Sequence, residues 1–232
     1  MTKRLQTLGV VLAVIGLGFL AGAGVAYARV QAGYKSLHAL SAAQNVELTY
    51  NADGQLADDT GSTKEATAIM SLLKDDWKYP VVSSDLNPND PVVNTASEYM
   101  YQMATITYHT ITRPQTVVLP EDVTADNGKV FKAGSYDFNP NGKYWTGYDR
   151  SNPIEAIARD QAWSGTAHGL IAELGVGTVT HSALQLGLAL AGILAGLGLT
   201  IILAGLGLVW VGRAPAQTTA PIAERTAEPV LV

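Results

Sequence analysis

The chain contains 232 residues, of which 47% are hydrophobic and 15% are charged, and its formal net charge is −5 at pH 7. This length allows one domain of about 150 residues together with additional segments. The acidic balance speaks against a nucleic-acid partner, because such partners require clustered basic residues. The sequence has no cysteine, which excludes thiol catalysis, disulfide bonds and cysteine-ligated metal centres.

Two uncharged segments, residues 5–28 and 182–212, lie near the ends of the chain. Each is long enough for a helix that crosses the hydrocarbon core of a bilayer, which takes about 20 predominantly apolar residues. We therefore predict transmembrane helices over residues 6–28 and 183–211. Their glycines are compatible with this prediction, because backbone groups inside a bilayer must satisfy one another and therefore favour a helix.

Each segment also has an alternative interpretation. Lys3 and Arg4, with an Ala-x-Ala pattern at 26–28, are typical of a cleaved signal peptide, although the hydrophobic part of such a peptide is shorter, at about 7–15 residues. The second segment could be a buried helix of a soluble domain. However, its ending, Trp210 followed by Arg213, is typical of a helix that ends at a membrane surface.

Charges beside the two segments predict the orientation of the protein. Basic residues close to membrane helices concentrate in the cytoplasm, and Lys3, Arg4 and Arg213 lie before the first helix and after the second. This predicts a two-pass protein of the bacterial cytoplasmic membrane with both termini in the cytoplasm. The remaining segments are a cytoplasmic N-terminus at 1–5, an extracytoplasmic domain at 29–182, and a disordered cytoplasmic tail at 212–232.

Small residues recur every seven positions in both predicted membrane helices. The stripes consist of Gly9, Gly16 and Ala23 in the first helix and of Ala191, Gly198 and Gly205 in the second. Helices in lipid associate by close van der Waals packing, so these stripes are candidate helix-packing surfaces. Either the two helices pack on each other as an antiparallel pair, or a stripe docks a helix of another subunit or of a second copy.

The segment between the membrane helices begins with predicted helical structure. Residues 30–46 contain few helix breakers and extend the first membrane helix as a stalk. Ser62 followed by Glu65 is the pattern of a capping box and indicates a second helix. Asp90 before Pro91 indicates a third, which we predict to run to residue 111.

The rest of this segment combines predicted strands with one more helix. Turn sequences separate short apolar runs between residues 116 and 145, which predicts a small antiparallel sheet. A last helix over residues 153–174 leads toward the second membrane helix, with a bend predicted at Gly175 and Gly177. The predicted fold class is a membrane α+β protein, in which two transmembrane helices flank one extracytoplasmic α+β domain.

Three residues form the only candidate metal site that the sequence suggests. His168, Glu173 and His181 lie within 14 residues, and two histidines with one carboxylate are a known ligand set for iron. Their spacing does not place them on one helical face, and His181 could instead lie at the headgroup boundary of a membrane. Neither a catalytic residue nor a cofactor is predicted from the sequence.

Aromatic residues outside the membrane segments have two interpretations. They either line a groove for a sugar or a peptide, or they form the core of the domain, which is the more frequent role of such side chains. The candidate groove residues are Tyr99, Tyr101, Tyr144, Trp145 and Trp163.

Three segments resemble a family of small actinobacterial membrane proteins with two spans. The segments are residues 43–46 (AQNV), 90–104 (DPVVNTASEYMYQMA) and 161–166 (QAWSGT). Members of this family often carry the label aromatic ring-opening dioxygenase, which implies an iron held by two histidines and one glutamate. That arrangement cannot be matched residue by residue here, so we interpret the label as mistaken. The resemblance implies the two-span architecture.

These observations lead to three functional hypotheses. The first is a non-catalytic membrane protein whose extracytoplasmic domain binds a partner or ligand, for example an accessory subunit of an envelope or respiratory complex. The second is a membrane-anchored, metal-dependent enzyme of the dioxygenase kind. The third is an envelope sensor that acts through a partner. Membrane lipid and a membrane-protein partner or a second copy are the expected contacts.

Overall fold

The computed structural model describes residues 2–213 and divides into two compact units. Among the described residues, one unit consists of residues 2–27 and 189–213, and the other is the domain of residues 28–188. The first is called the helix-pair unit below. The predicted disordered tail lies outside the described residues from position 214 onward. Its first two residues, Gly212 and Arg213, belong to a helix.

Residues 2–213 fold into five α-helices and four short strands. The helices are α1 (Thr2–Gln44), α2 (Thr63–Ser71), α3 (Ala96–Thr112), α4 (Pro153–Ala162) and α5 (Gly165–Arg213). The strands are β1 (Gln115–Leu119), β2 (Val123–Thr124), β3 (Val130–Phe131) and β4 (Gly134–Phe138). A π-helical turn at Leu72–Asp76 and 3-10 turns at Ser83–Asp85 and Trp145–Gly147 complete the elements.

The helix-pair unit is held together by the small-residue stripes. A Cβ atom placed on Gly16 would lie 2.6 Å from the carbonyl oxygen of Gly198, and one placed on Gly9 would meet the carbonyl oxygen of Gly205. The two contacts advance by seven residues in opposite directions, so the helices are antiparallel. The same register places Ala23 opposite Ala191, and both are buried. The two stripes therefore face each other within the chain.

The outward faces of these two segments are apolar and exposed. Val14, Ile193 and Leu203 are among the exposed large side chains, and only 17% and 11% of the most apolar windows of α1 and α5 are buried. A core helix of a soluble protein would be mostly buried. Both helices have the length and composition needed to cross a membrane.

In the domain of residues 28–188, the ends of the two long helices are set by local capping. Asn45 adopts a left-handed conformation (φ 51°), and its amide donates to the carbonyl oxygen of Ser41, which ends α1. At the start of α5, the Ser164 hydroxyl accepts a hydrogen bond from the amide of Ala167 at 3.2 Å.

The predicted bend at Gly175 and Gly177 is not an interruption of the helix. α5 is continuous through both glycines, whereas the predicted helix 153–174 breaks earlier, between Ala162 and Gly165. The break lies where Trp163 leaves the helical conformation and Ser164 caps the following helix. Glycine lowers helix propensity, but tertiary contacts of the helix override this weak preference.

Helix α3 begins later than Asp90 and Pro91 predict. Thr95 and Glu98 form a reciprocal capping box that starts the helix at Ala96. Residues 91–93 are extended instead, and they pair with residues 46–48 through hydrogen bonds between Leu48 and Pro91 and between Val93 and Val46. The prediction of a helix start at Pro91 was therefore wrong, because a proline is equally compatible with extended backbone.

Helix α2 begins as predicted, but Glu65 does not complete a capping box. The Ser62 hydroxyl accepts a hydrogen bond from the amide of Lys64. The Glu65 carboxylate instead contacts the His109 ring on α3 and so links the two helices. A contact between α2 and α3 has thus taken the place of the predicted capping contact within α2.

The sheet region consists of two nested antiparallel pairs. β1 pairs with β4, from Gln115 opposite Phe138 to Leu119 opposite Gly134, and β2 pairs with β3. Helix α4 covers this region with Ala158, which is buried together with Val117 and Leu119. The predicted sheet is confirmed, except that residues 144–145 are not a strand: Tyr144 precedes a 3-10 turn that begins at Trp145.

Candidate functional site

An open apolar groove of about 940 Å³ lies in the domain of residues 28–188. Three helices form most of it: the last third of α1, the first two thirds of α3, and the first third of α5. Val46, two residues beyond the end of α1, also lines it. The aliphatic side chains that line it are Leu37, Leu40, Val46, Ile106, Leu170, Leu174 and Val176. This volume is within the range of about 300–1,000 Å³ that small-molecule sites usually have.

Tyr99 forms part of the wall of the groove and is itself buried. Its hydroxyl lies 2.7 Å from the Ser41 hydroxyl of α1, which in turn donates to the Leu37 carbonyl oxygen. Its ring lies against α5 where Gly177 has no side chain: a Cβ atom there would lie 2.7 Å from the Tyr99 ring. Tyr99 therefore fixes α3 between the two long helices and gives the groove a rigid wall.

The polar groups of the groove are few and differ along its length. Gln44 on α1 donates a side-chain hydrogen bond to the Glu173 carboxylate on α5, and both side chains are exposed. Glu173 is the one charged residue among the described residues that line the groove. Hydroxyl groups of Ser36 and Thr180 lie toward the other end of the same two helices. One end therefore carries a negative charge and the other is neutral.

The structure does not bring the three candidate metal ligands together. His168 packs against the rings of Trp145 and Trp163, Glu173 contacts Gln44, and His181 is buried elsewhere on α5. Within residues 2–213, no group of three His, Asp or Glu side chains is arranged to hold a metal ion. Of the three, only Glu173 lines the groove.

His181 occupies a buried position between the two long helices of the domain. Its ring packs edge-on against Tyr34, with the centroids 5.6 Å apart, and its Nδ1 atom has no hydrogen-bond partner among the described residues. Burial lowers the pKa of His181 below its ordinary value of 6.5; nearby His38 lowers it further, and Asp85 opposes the shift. The folded protein therefore favours the neutral ring.

This environment predicts a loss of stability in mild acid. Below pH 6.5, His181 takes up a proton in the unfolded chain before it does so in the folded chain, so the free energy of unfolding falls as the pH drops. His181→Phe, which keeps an aromatic ring against Tyr34, is expected to lose less melting temperature between pH 7.5 and 5 than the native chain. His168→Gln, at an exposed histidine, is the control. Equal losses in native protein and His181→Phe would contradict the assignment.

Most of the predicted aromatic groove residues are part of the core. Tyr99, Tyr101 and Trp163 are buried. The Arg159 guanidinium carbon lies 4.1 Å from the centroid of the Trp145 ring. The Tyr144 hydroxyl accepts a hydrogen bond from the indole N–H of Trp77 at 2.9 Å. Of the five, only Tyr99 lines the apolar groove.

A second, smaller pocket of about 260 Å³ is polar. Glu65, His109 and Arg113 meet there, with the Arg113 guanidinium 3.2 Å from the His109 Nε2 atom. The same Nε2 atom contacts the Glu65 carboxylate, so it either donates to Glu65 or accepts from Arg113, and the contact with Glu65 joins α2 to α3. The pocket is therefore explained by the packing of these helices.

Sequence reasoning missed the apolar groove as a whole. Its lining comes from residues 33–46, 99–106 and 170–180, and no local pattern shows that these segments meet. One signal was available: Tyr99 follows the capping-box pattern of Thr95 and Glu98. This pattern predicts where α3 begins and therefore which of its residues share a face.

Comparisons with protein-family models, with curated proteins and with solved structures found no match to this chain.

Proposed function

We propose that this protein is a two-span membrane protein whose domain of residues 28–188 lies outside the cytoplasm and binds an apolar ligand in the groove. The proposal is non-catalytic: the described lining offers amides, hydroxyls and one carboxylate, without a nucleophile paired to a base. The observation that carries it is the groove itself, an open apolar volume with a rigid wall.

The membrane part of the proposal is supported by exposure and charge. The most apolar parts of α1 and α5 expose large aliphatic side chains, and an exposed apolar surface of this extent requires lipid or a partner to cover it. Lys3 and Arg4 before the first span and Arg213 after the second favour a cytoplasmic location of both termini.

The ligand part is supported by the balance of apolar and polar groups. Ligand sites are lined mostly by apolar side chains with a few polar groups that orient the ligand. Seven aliphatic side chains together with the Gln44–Glu173 pair meet this description. A groove that stayed filled with water would leave these aliphatic surfaces hydrated, at a cost of about 25 cal/mol per Å².

The test uses the full chain in lipid nanodiscs and a neutral hydrophobic photolabel, a diazirine derivative of adamantane. After illumination, mass spectrometry is expected to find label on the outward faces of both spans and on the residues that line the groove. Label on the spans serves as an internal standard, because it reports the concentration of the photolabel in the membrane.

A matched pair of substitutions on α5 makes this test specific. Val176 lines the groove and is 67% exposed, whereas Val179 is 68% exposed and is not a lining residue. Val176→Trp fills part of the groove and is expected to reduce groove labelling relative to span labelling about tenfold, the equivalent of ~1.4 kcal/mol of lost burial. Val179→Trp is expected to leave the ratio unchanged. Groove labelling that Val176→Trp does not reduce, or no groove labelling at all, would refute the proposal.

A further inference from the structure

We infer that the ligand of the groove is a single-chain neutral lipid from the outer leaflet, of the acylglycerol kind, whose hydroxyl end lies at Gln44 and Glu173. This inference rests on the proposed function and adds the class of the ligand and its direction in the groove.

The length of the groove matches one acyl chain. On α1 the lining extends from Gly33 to Gln44, a distance of about 16 Å at 1.5 Å per residue. Half of a hydrocarbon core of about 30 Å, which is the depth of one leaflet, is about 15 Å. A chain that spans one leaflet therefore extends along the groove from one end to the other.

The direction of the chain follows from the helices that form the groove. Gly33 follows the first predicted span by five residues, and Thr180 precedes the second by three, whereas Gln44 and Glu173 lie farther from the spans along the same two helices. A lipid of the outer leaflet has its polar end toward the outside and its tail toward the bilayer centre. If it enters the groove without turning over, its polar end lies at Gln44 and Glu173 and its tail ends near Gly33.

The charge of the lining selects the polar end. The Glu173 carboxylate accepts hydrogen bonds and repels anions, and none of the described lining residues is Lys or Arg. Exposed basic residues, Arg29 and Lys35, lie instead near the span on α1, where they favour anionic headgroups at the membrane surface. A lipid with hydroxyl donors therefore fits the far end of the groove, whereas a fatty acid or an anionic phospholipid does not.

The ligand class is tested with two photoactivatable lipids that have the same acyl chain and a diazirine at the tail end. One is a monoacylglycerol and the other is the free fatty acid, and each is added to the full chain in nanodiscs at pH 8. We expect the monoacylglycerol to label the groove about fivefold more than the fatty acid, the upper range for an exposed charge pair. In Glu173→Gln we expect the monoacylglycerol and the fatty acid to label the groove almost equally. Asp160→Asn is the control, because Asp160 is an exposed carboxylate outside the groove. We expect this variant to keep the preference for the monoacylglycerol.

The site of labelling tests the direction. Label from the tail end is expected on residues near Gly33 and Thr180, and label from a monoacylglycerol with its diazirine at the glycerol end is expected near Gln44. Labelling in the reverse order, or equal labelling by both lipids in the native chain, would overturn this inference while leaving an apolar ligand site in place. If adamantane diazirine labels the groove but neither lipid does, the inference about the lipid is overturned as well. If adamantane diazirine, the monoacylglycerol and the fatty acid all fail to label the groove, the proposed function itself is refuted.

Discussion

Replacing Gly16 with leucine is expected to separate the two helices of the helix-pair unit. The added Cβ atom would lie 2.6 Å from the Gly198 carbonyl oxygen and 2.7 Å from a side-chain carbon of Ile202. A backbone oxygen cannot rotate away, so the helices themselves must move apart. Overpacking of this kind costs about 1–3 kcal/mol, and the loss of close contact along the stripe adds to it.

The measurement uses the natural absence of cysteine. The register places Ala23 opposite Ala191, so Ala23→Cys combined with Ala191→Cys is expected to form a disulfide within one chain on mild oxidation. Gly16→Leu in this background is expected to lower the fraction that cross-links about tenfold, as a cost of ~1.4 kcal/mol implies. Gly18→Leu is the matched control, because a Cβ at Gly18 would meet no described atom within 4 Å apart from its own stretch of helix. Equal cross-linking in the two leucine variants would contradict the pairing.

Replacing Glu98 with alanine is expected to destabilise the domain of residues 28–188 by about 2–4 kcal/mol, since three hydrogen-bond donors lose their acceptor. One oxygen of this carboxylate accepts hydrogen bonds from the amides of Asn94 and Thr95 and from the Thr95 hydroxyl, at 2.8 to 2.9 Å. The side chain is only 1% exposed, so water cannot replace the lost acceptor. The free energy of unfolding is measured by urea denaturation of the full chain in detergent.

A second substitution separates this capping role from a simple loss of packing. Glu98→Gln keeps an acceptor oxygen and nearly the same volume, so it is expected to cost clearly less than Glu98→Ala. Burial raises the pKa of Glu98, against the hydrogen bonds from Asn94 and Thr95 that lower it. The folded chain therefore retains this proton to a higher pH than the unfolded chain, and the stability contributed by Glu98 decreases as the pH rises above its ordinary value of 4.5. An equal loss for both variants would contradict the capping role.

The start of α3 shows where local patterns compete. Asp90 before Pro91 and Thr95 with Glu98 are both patterns of a helix start, and they lie only five residues apart. The structure uses the second, because residues 91–93 form backbone hydrogen bonds with residues 46–48. That pairing depends on a segment about 45 residues away in the chain, which a local pattern does not contain.

Several features were determined by the sequence alone because they depend on neighbouring residues. Long uncharged runs are sufficient to predict two long apolar helices, since a backbone that crosses a bilayer must satisfy its hydrogen bonds within its own segment. The seven-residue repeat of Gly9 and Gly16 identifies a packing face, since residues seven apart lie on one side of a helix. Turn residues such as Asn127 and Gly128 similarly indicate the short strands.

Only the tertiary structure decided which faces of these elements pack against one another. The stripes could have docked another subunit, and their mutual contact became evident only from the antiparallel register of Gly16 and Gly198. Likewise, Gly177 was expected to disturb α5, yet it accommodates the ring of Tyr99 and so shapes the groove. A groove depends on the distances between side chains of separate segments, and these distances are set by packing that the order of residues along the chain does not display.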